Sequence, residues 1–169
     1  REDVLERIKD ALSPSSTGIK SEGLKQFALS GLGGLGKTEI AYEFAFRSRD
    51  CYDAVFWVNA DSEASLAQRY SQMSQELGLE DDADKNSQVV SRELVKGWLS
   101  DPGTTAAEDK SNQAGVASQA TWLIIFNNAD DIMALNDYWP MQGNGSILIT
   151  SRDPLMKTHF TVRVSGIDL

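Results

Sequence analysis

Cysteine and histidine are almost missing, with one of each in 169 residues, Cys51 and His159. A single thiol cannot close an internal disulfide, and the scarcity fits a reducing, cytoplasmic compartment. Cys51 falls between a helical pattern and a strand, so a small packed hydrophobe is expected there. His159 has no second histidine and no cysteine beside it, which argues against a zinc-type site and leaves a surface or packing role. Long apolar runs are missing too. The strongest, "WLIIF" from Trp122 to Phe126, is far too short to cross a bilayer, and no signal-peptide pattern opens the chain. Positive charge is in deficit: 16 Lys and Arg stand against 25 Asp and Glu, a net charge of −9. That balance counts against nucleic acid as the main partner, and against anionic membranes.

What remains is an ordinary composition, 41% hydrophobic and 24% charged, in a chain long enough for one domain with a real core. It opens on Arg1 without a methionine, already inside a helical pattern, and stops just after a strand-like segment. The expectation is a piece of a larger protein.

Periodicity divides the chain. "REDVLERIKDAL" places Val4, Leu5, Ile8 and Leu12 at helical spacing, and "SPSSTGIKSEG" breaks it as a loop. "LKQFALS" reads as a short strand, and "TEIAYEFAFRSR" as a helix with Ile40, Ala41, Phe44 and Ala45 on one face. "AVFWVNA" is a second buried strand. Asp61 or Ser62 caps a helix striped by Leu66, Tyr70, Met73 and Leu77. After the acidic break "EDDADKNS", "QVVSRELVKGWLS" returns to helical spacing through Val90, Leu94 and Leu99 or Trp98. Residues 102–120 carry almost no large apolar side chain, which predicts a mobile surface loop. "TWLIIFN" is the third strand, a short helix lies within "DDIMALNDYW", and "GSILITS" is the fourth strand. "DPLMKTH" reads as a short helix or turn and "FTVRVS" as the fifth strand. Strands alternating with helices predict an α/β fold, a five-stranded parallel sheet with helices on both faces.

Between the first strand and its helix stands "GLGGLGKTE", Gly31 to Glu39. It fits G-x-x-x-x-G-K-[ST], and its position between a strand and a helix is the context that pattern requires. Bare glycines let backbone N–H groups approach an anion, and the helix start adds its positive dipole end. Lys37 supplies a point charge for outer phosphates. The Thr38 hydroxyl is a ligand for a magnesium ion shared with them. Gly31, Gly33, Gly34, Leu35, Gly36, Lys37, Thr38 and Glu39 are therefore the candidate nucleotide-binding residues.

A carboxylate at the end of another buried strand normally completes such a site. Here "WLIIFNNADD" places Asn127 and Asn128 at that end, and carboxylates follow only at Asp130 and Asp131. An amide carries no charge for a cation and accepts no proton from water, so slow hydrolysis is expected. Asp130 and Asp131 read equally as acidic residues at a helix start. Arg152 in "ITSRDP" would stand at the same sheet edge, where ligands of open α/β sheets bind and an arginine can meet a terminal phosphate.

Taken in order, "REDVLERI", "GLGGLGKTEIAYEFA", "VFWVNADSEASL", "WLIIFNNADD" and "GSILITSRD" resemble the NB-ARC branch of the STAND signalling P-loop NTPases. The likeness is greatest to fungal NOD-like receptors, relatives of plant disease-resistance proteins and of apoptotic-protease activators. The resemblance spans almost the whole chain. It implies a three-layer sandwich in which the Arg152 strand lies between the glycine-loop strand and the "WLIIF" strand. It further implies ADP in a resting state, ATP in an active homo-oligomer, Mg2+ at Thr38 and the Asn127 position, and a cytoplasmic role in innate immune signalling. By matched position Gly34, Gly36, Lys37 and Thr38 bind phosphates, Arg152 senses the γ-phosphate, and Arg1 lies over the adenine. Family members usually carry Asp where Asn127 stands. The helical and winged-helix subdomains that follow in the family are expected beyond this stretch, and the chain alone is expected to be a monomer.

Two other classes compete. A turnover enzyme, either a small-molecule kinase or a GTPase, would use the same loop. "NNAD" is a near miss to the guanine-reading N-K-x-D, but no D-x-x-G occurs in the chain. A nucleotide-dead scaffold is favoured by Asn127 and disfavoured by the intact Lys37 and Thr38.

Overall fold

Alternation of side chains along the strands builds two cores at once. The computed structural model describes residues 2–14, 23–81, 87–102, 119–156 and 165–168. In chain order the elements are α1 (Glu2–Leu12), β1 (Lys25–Ser30), α2 (Lys37–Ser48), β2 (Ala54–Asn59), α3 (Glu63–Glu76), α4 (Gln88–Ser100), β3 (Trp122–Asn127), α5 (Ile132–Asn136), β4 (Gly145–Ser151) and β5 (Ser165–Asp168). The strands form one parallel sheet in the order β2-β3-β4-β1-β5, with β5 a four-residue addition at the edge.

In β3, Leu123 and Ile125 point to one face, and Trp122, Ile124 and Phe126 to the other. The first face is covered by α1 and α2 through Val4, Leu5, Ile8, Leu12, Ile40, Ala41 and Phe44. The second is covered by α3, α4 and α5 through Leu66, Tyr70, Met73, Val95, Leu99 and Leu135. Because both faces are covered, β3 and β4 are buried along their whole length, as expected of a parallel sheet's central strands. Each fully buried Leu, Ile or Phe among them contributes about 1.5–3 kcal/mol relative to exposure.

Polar pins fix the layers. The Leu12 carbonyl, at the end of α1, accepts from the Tyr52 hydroxyl at 2.8 Å and the Ser146 hydroxyl at 2.7 Å. The Trp122 indole donates to Leu99 O at 3.0 Å, near the end of α4. Carbonyls in a last helical turn lack helical partners, and these side chains supply them.

The strand and helix plan expected from periodicity is present, with local differences. Ser62, not Asp61, caps α3, its hydroxyl accepting from Ser65 N. In α4 the buried stripe is Ser91, Val95 and Leu99, one residue on from Val90 and Leu94, which are half-buried. The shift turns Ser91 inward, where its hydroxyl donates to the Glu80 carboxylate. Cys51 is exposed rather than packed, because it lies in a single 3-10 turn, Arg49–Cys51, whose residues are not buried. The last strand described is Ser165–Asp168, which shares only Ser165 with the expected "FTVRVS". Residues 160–164 of "FTVRVS", His159, Arg1 and most of the 102–120 loop lie outside the described residues. Among the described residues no helix is long and apolar enough to cross a membrane.

Candidate functional site

Parallel strands all end on the same side, so the carboxyl ends of β1, β3 and β4 bring three separate stretches of sequence together. From β1 the chain enters the glycine loop. Gly34 and Gly36 take φ values of 81° and 79°, a left-handed conformation that a side chain disfavours and glycine adopts freely. Gly36 is the N-cap of α2, and Ile40 N donates to Gly36 O at 3.0 Å in the first helical bond. The helix's unpaired N–H groups and positive dipole end therefore open onto the loop.

Lys37 is buried. Its ammonium donates to Gly31 O and Leu32 O, both at 2.7 Å, closing the loop over its own side chain. An ammonium has three donors, so one remains uncommitted among the described residues. Leu32 and Leu35 are exposed at the loop's rim, and Glu39 is exposed on α2.

Thr38 and Asn127 meet directly. The Thr38 hydroxyl donates to Asn127 Oδ1 at 2.9 Å, and the Thr150 hydroxyl donates to the same oxygen at 3.0 Å. Thr150 Oγ1 in turn accepts from Asn128 N at 2.9 Å. Asn127 is buried at the end of β3. Asn128 takes φ 58°, a left-handed turn that asparagine tolerates better than most residues. Ala129 N donates to Thr150 O at 2.8 Å, so residues 127–129 are zipped onto the end of β4.

This donor set fits a magnesium ion in part. A threonine hydroxyl that gives its proton to a neighbour keeps its lone pairs for a hard cation. Asn127 matches that geometry with a neutral amide oxygen in place of a carboxylate, so the local field on a cation is weaker. Among the described residues no cluster of three His, Cys, Asp or Glu would hold a metal. An ion here would therefore depend on Thr38, on nucleotide phosphates and on water.

The two acidic residues have separate roles. Asp131 is the N-cap of the short α5, its carboxylate accepting from Ala134 N at 3.1 Å. Asp130 faces β4, where it pairs with Arg152, Nε to Oδ2 at 2.6 Å. Burial pushes the Asp130 carboxyl up, but hydrogen bonds from the Arg152 backbone and side chain and from Ser151 outweigh it and hold it below its ordinary value. Asp61, Asn128, Asp130, Asp131 and Arg152 line an open cleft of about 440 Å³. Arg152 also reaches the loop: a Cβ on Gly33 would stand 3.9 Å from its Cδ.

Most candidate residues from the sequence thus converge. Arg1 lies outside the described residues. Sequence reasoning missed Thr150, Ser151 and the cleft position of Asp61. Thr150 and Ser151 carried a legible signal, two hydroxyls closing the otherwise apolar "ILITS" just before Arg152.

A parallel sheet with a glycine loop, lysine and threonine between its first strand and helix defines a P-loop nucleotide-binding module. The chain belongs to the NB-ARC domain family, whose model matches residues 1–159. It is 30% identical over 181 residues to a nucleotide-binding leucine-rich repeat (NLR)-like protein of Hyaloscypha variabilis; the match takes in 94% of this chain and 16% of that protein. The chain therefore spans about one sixth of that relative's length. Among the solved structures that share its fold are two at low sequence identity. One is Cdc6p from Pyrobaculum aerophilum, with TM-score 0.58, 12% identity, and 98% of this chain and 44% of that one covered. The other is Drosophila ORC bound to DNA, with TM-score 0.55, 18% identity, and 100% and 42% covered.

Proposed function

We propose that this chain is the adenine-nucleotide switch module of a NOD-like receptor, binding ADP or ATP with slow or absent hydrolysis. The observation that carries the reading is the closed unit of Lys37 within the glycine loop and Thr38 against Asn127. Backbone N–H groups of the loop and the start of α2 hold the diphosphate, and Lys37 neutralises its outer charge. Thr38 ligates Mg2+ with Asn127 behind it. A magnesium ion held there would supply positive charge against the outer phosphates.

Asn127 and Asn128 occupy the places where a carboxylate would attract the cation or take a proton from water, and neither amide does so. Arg152 meets the terminal phosphate. Switching follows if ADP and ATP favour different arrangements of this module against neighbouring helical and winged-helix subdomains and, on activation, against further copies of the receptor. The setting is cytoplasmic immune signalling.

Heating the purified protein and chromatographing the released small molecules tests the base: ADP supports the reading, whereas GDP overturns it. Lys37→Ala should abolish ADP binding in calorimetric titration. Unchanged affinity would mean that the phosphates lie elsewhere, and no binding by the unaltered chain at millimolar ADP would favour a scaffold.

A further inference from the structure

The Asp130 carboxylate gathers three donors from the end of β4. Its Oδ1 accepts from Arg152 N at 2.7 Å and from the Ser151 hydroxyl at 3.1 Å, and its Oδ2 accepts from Arg152 Nε at 2.6 Å. A guanidinium is a planar fork whose inner donor is Nε and whose outer donors, on Nη1 and Nη2, match two oxygens of a phosphate. Asp130 takes the inner donor. The outer pair makes no hydrogen bond among the described residues, and the Arg152 side chain is 69% exposed. The same side chain runs beside Gly33 in the glycine loop. An arginine pinned at its backbone and at Nε keeps little freedom to turn its outer edge away. Neighbouring Asp131 takes no part, since it caps α5.

We propose that Asp130 is a positioning residue that holds Arg152 beside the glycine loop with its outer edge available to a terminal phosphate, and thereby sets the selectivity of the site for nucleoside triphosphate over diphosphate. The proposal rests on the nucleotide-binding reading above. The charge of Asp130 is met by three hydrogen bonds, so its carboxylate adds little repulsion toward an incoming phosphate. Asp130→Asn is a pointed disruption. The amide oxygen still accepts from Arg152 N and Ser151, but its NH2 would face Nε donor to donor.

The test is calorimetric titration of ATP and of ADP, each onto the unaltered protein, Asp130→Asn, Arg152→Ala and the double variant. Asp130→Asn should weaken ATP about tenfold, the scale of losing a charge-assisted hydrogen bond, with ADP changed less than about twofold. Arg152→Ala should do the same, and the double variant should bind ATP no more weakly than Arg152→Ala alone, because the pair acts as one unit. Equal losses for ATP and ADP in Asp130→Asn, unaltered ATP affinity in it, or multiplying effects in the double variant would each overturn the positioning role. Should Asp130→Asn fail to fold, Asp130→Glu carries the same test: an ATP-selective loss supports the proposal, and parallel changes overturn it. If the unaltered chain binds neither nucleotide, the nucleotide reading itself fails, and the positioning role fails with it.

Discussion

Asn127 is the residue whose chemistry departs most from its place. Its amide oxygen receives two hydroxyls, from Thr38 and Thr150, and a carboxylate would accept both equally well. Asn127→Asp therefore keeps the local geometry while adding a negative charge beside the Thr38 hydroxyl. The expected result is that magnesium tightens ADP binding on the order of tenfold more in the variant than in the original chain, as hard cations favour charged oxygen ligands. Titrations with and without magnesium check it, and an unchanged magnesium effect would remove Asn127 from the cation site. This residue was legible in the sequence because a polar pair ends an apolar strand. Its partner Thr150 was not read, since only the pairing of β3 with β4 brings them together.

Among the elements, β3, β4 and α4 meet closely around Trp122. Trp122 is fully buried, its indole bonded to Leu99 O. A Cβ on Gly145 would stand 2.1 Å from the Trp122 ring, a distance no side chain tolerates. Gly145→Ala should therefore destabilise the fold by about 3 kcal/mol, the upper range of core overpacking, read by urea denaturation. Adding Trp122→Leu to that variant should restore part of the loss, because the ring is the obstacle. Equal stability of Gly145→Ala and the original would contradict this packing. Element types were readable from short apolar runs and period-3.6 patterns, as in β3 and α3. The face of α4 was not, because Val90 and Leu94 compete with Ser91 and Val95 for the inward stripe, and contacts with Glu80 and the sheet choose the second.

For the whole molecule, a net charge of −9 sets an unfavourable background for an anionic ligand, which the loop amides and Lys37 must overcome locally. Ligand that binds only the folded state stabilises it by mass action. ADP at about 100 times its dissociation constant should add about 2.7 kcal/mol and raise the melting temperature by roughly 5–10 °C for a domain of this size. Lys37→Ala should show no such shift in thermal unfolding. A shift that persists in that variant would place the ligand away from the loop.

The amino-acid order alone determined the α/β alternation and the phosphate loop, since both are written in local spacing: apolar periodicity within each element, and glycines, lysine and threonine within eight residues, Gly31 to Thr38. The family resemblance implied that β4 lies between β1 and β3, as the structure shows, but only the tertiary structure decided which side chains meet there. That order brings Thr150 to Asn127 and ties Arg152 to Asp130 beside Gly33. These pairs are separated by about twenty residues or more along the chain, and no local pattern encodes a contact that depends on which strands share a hydrogen-bonded edge.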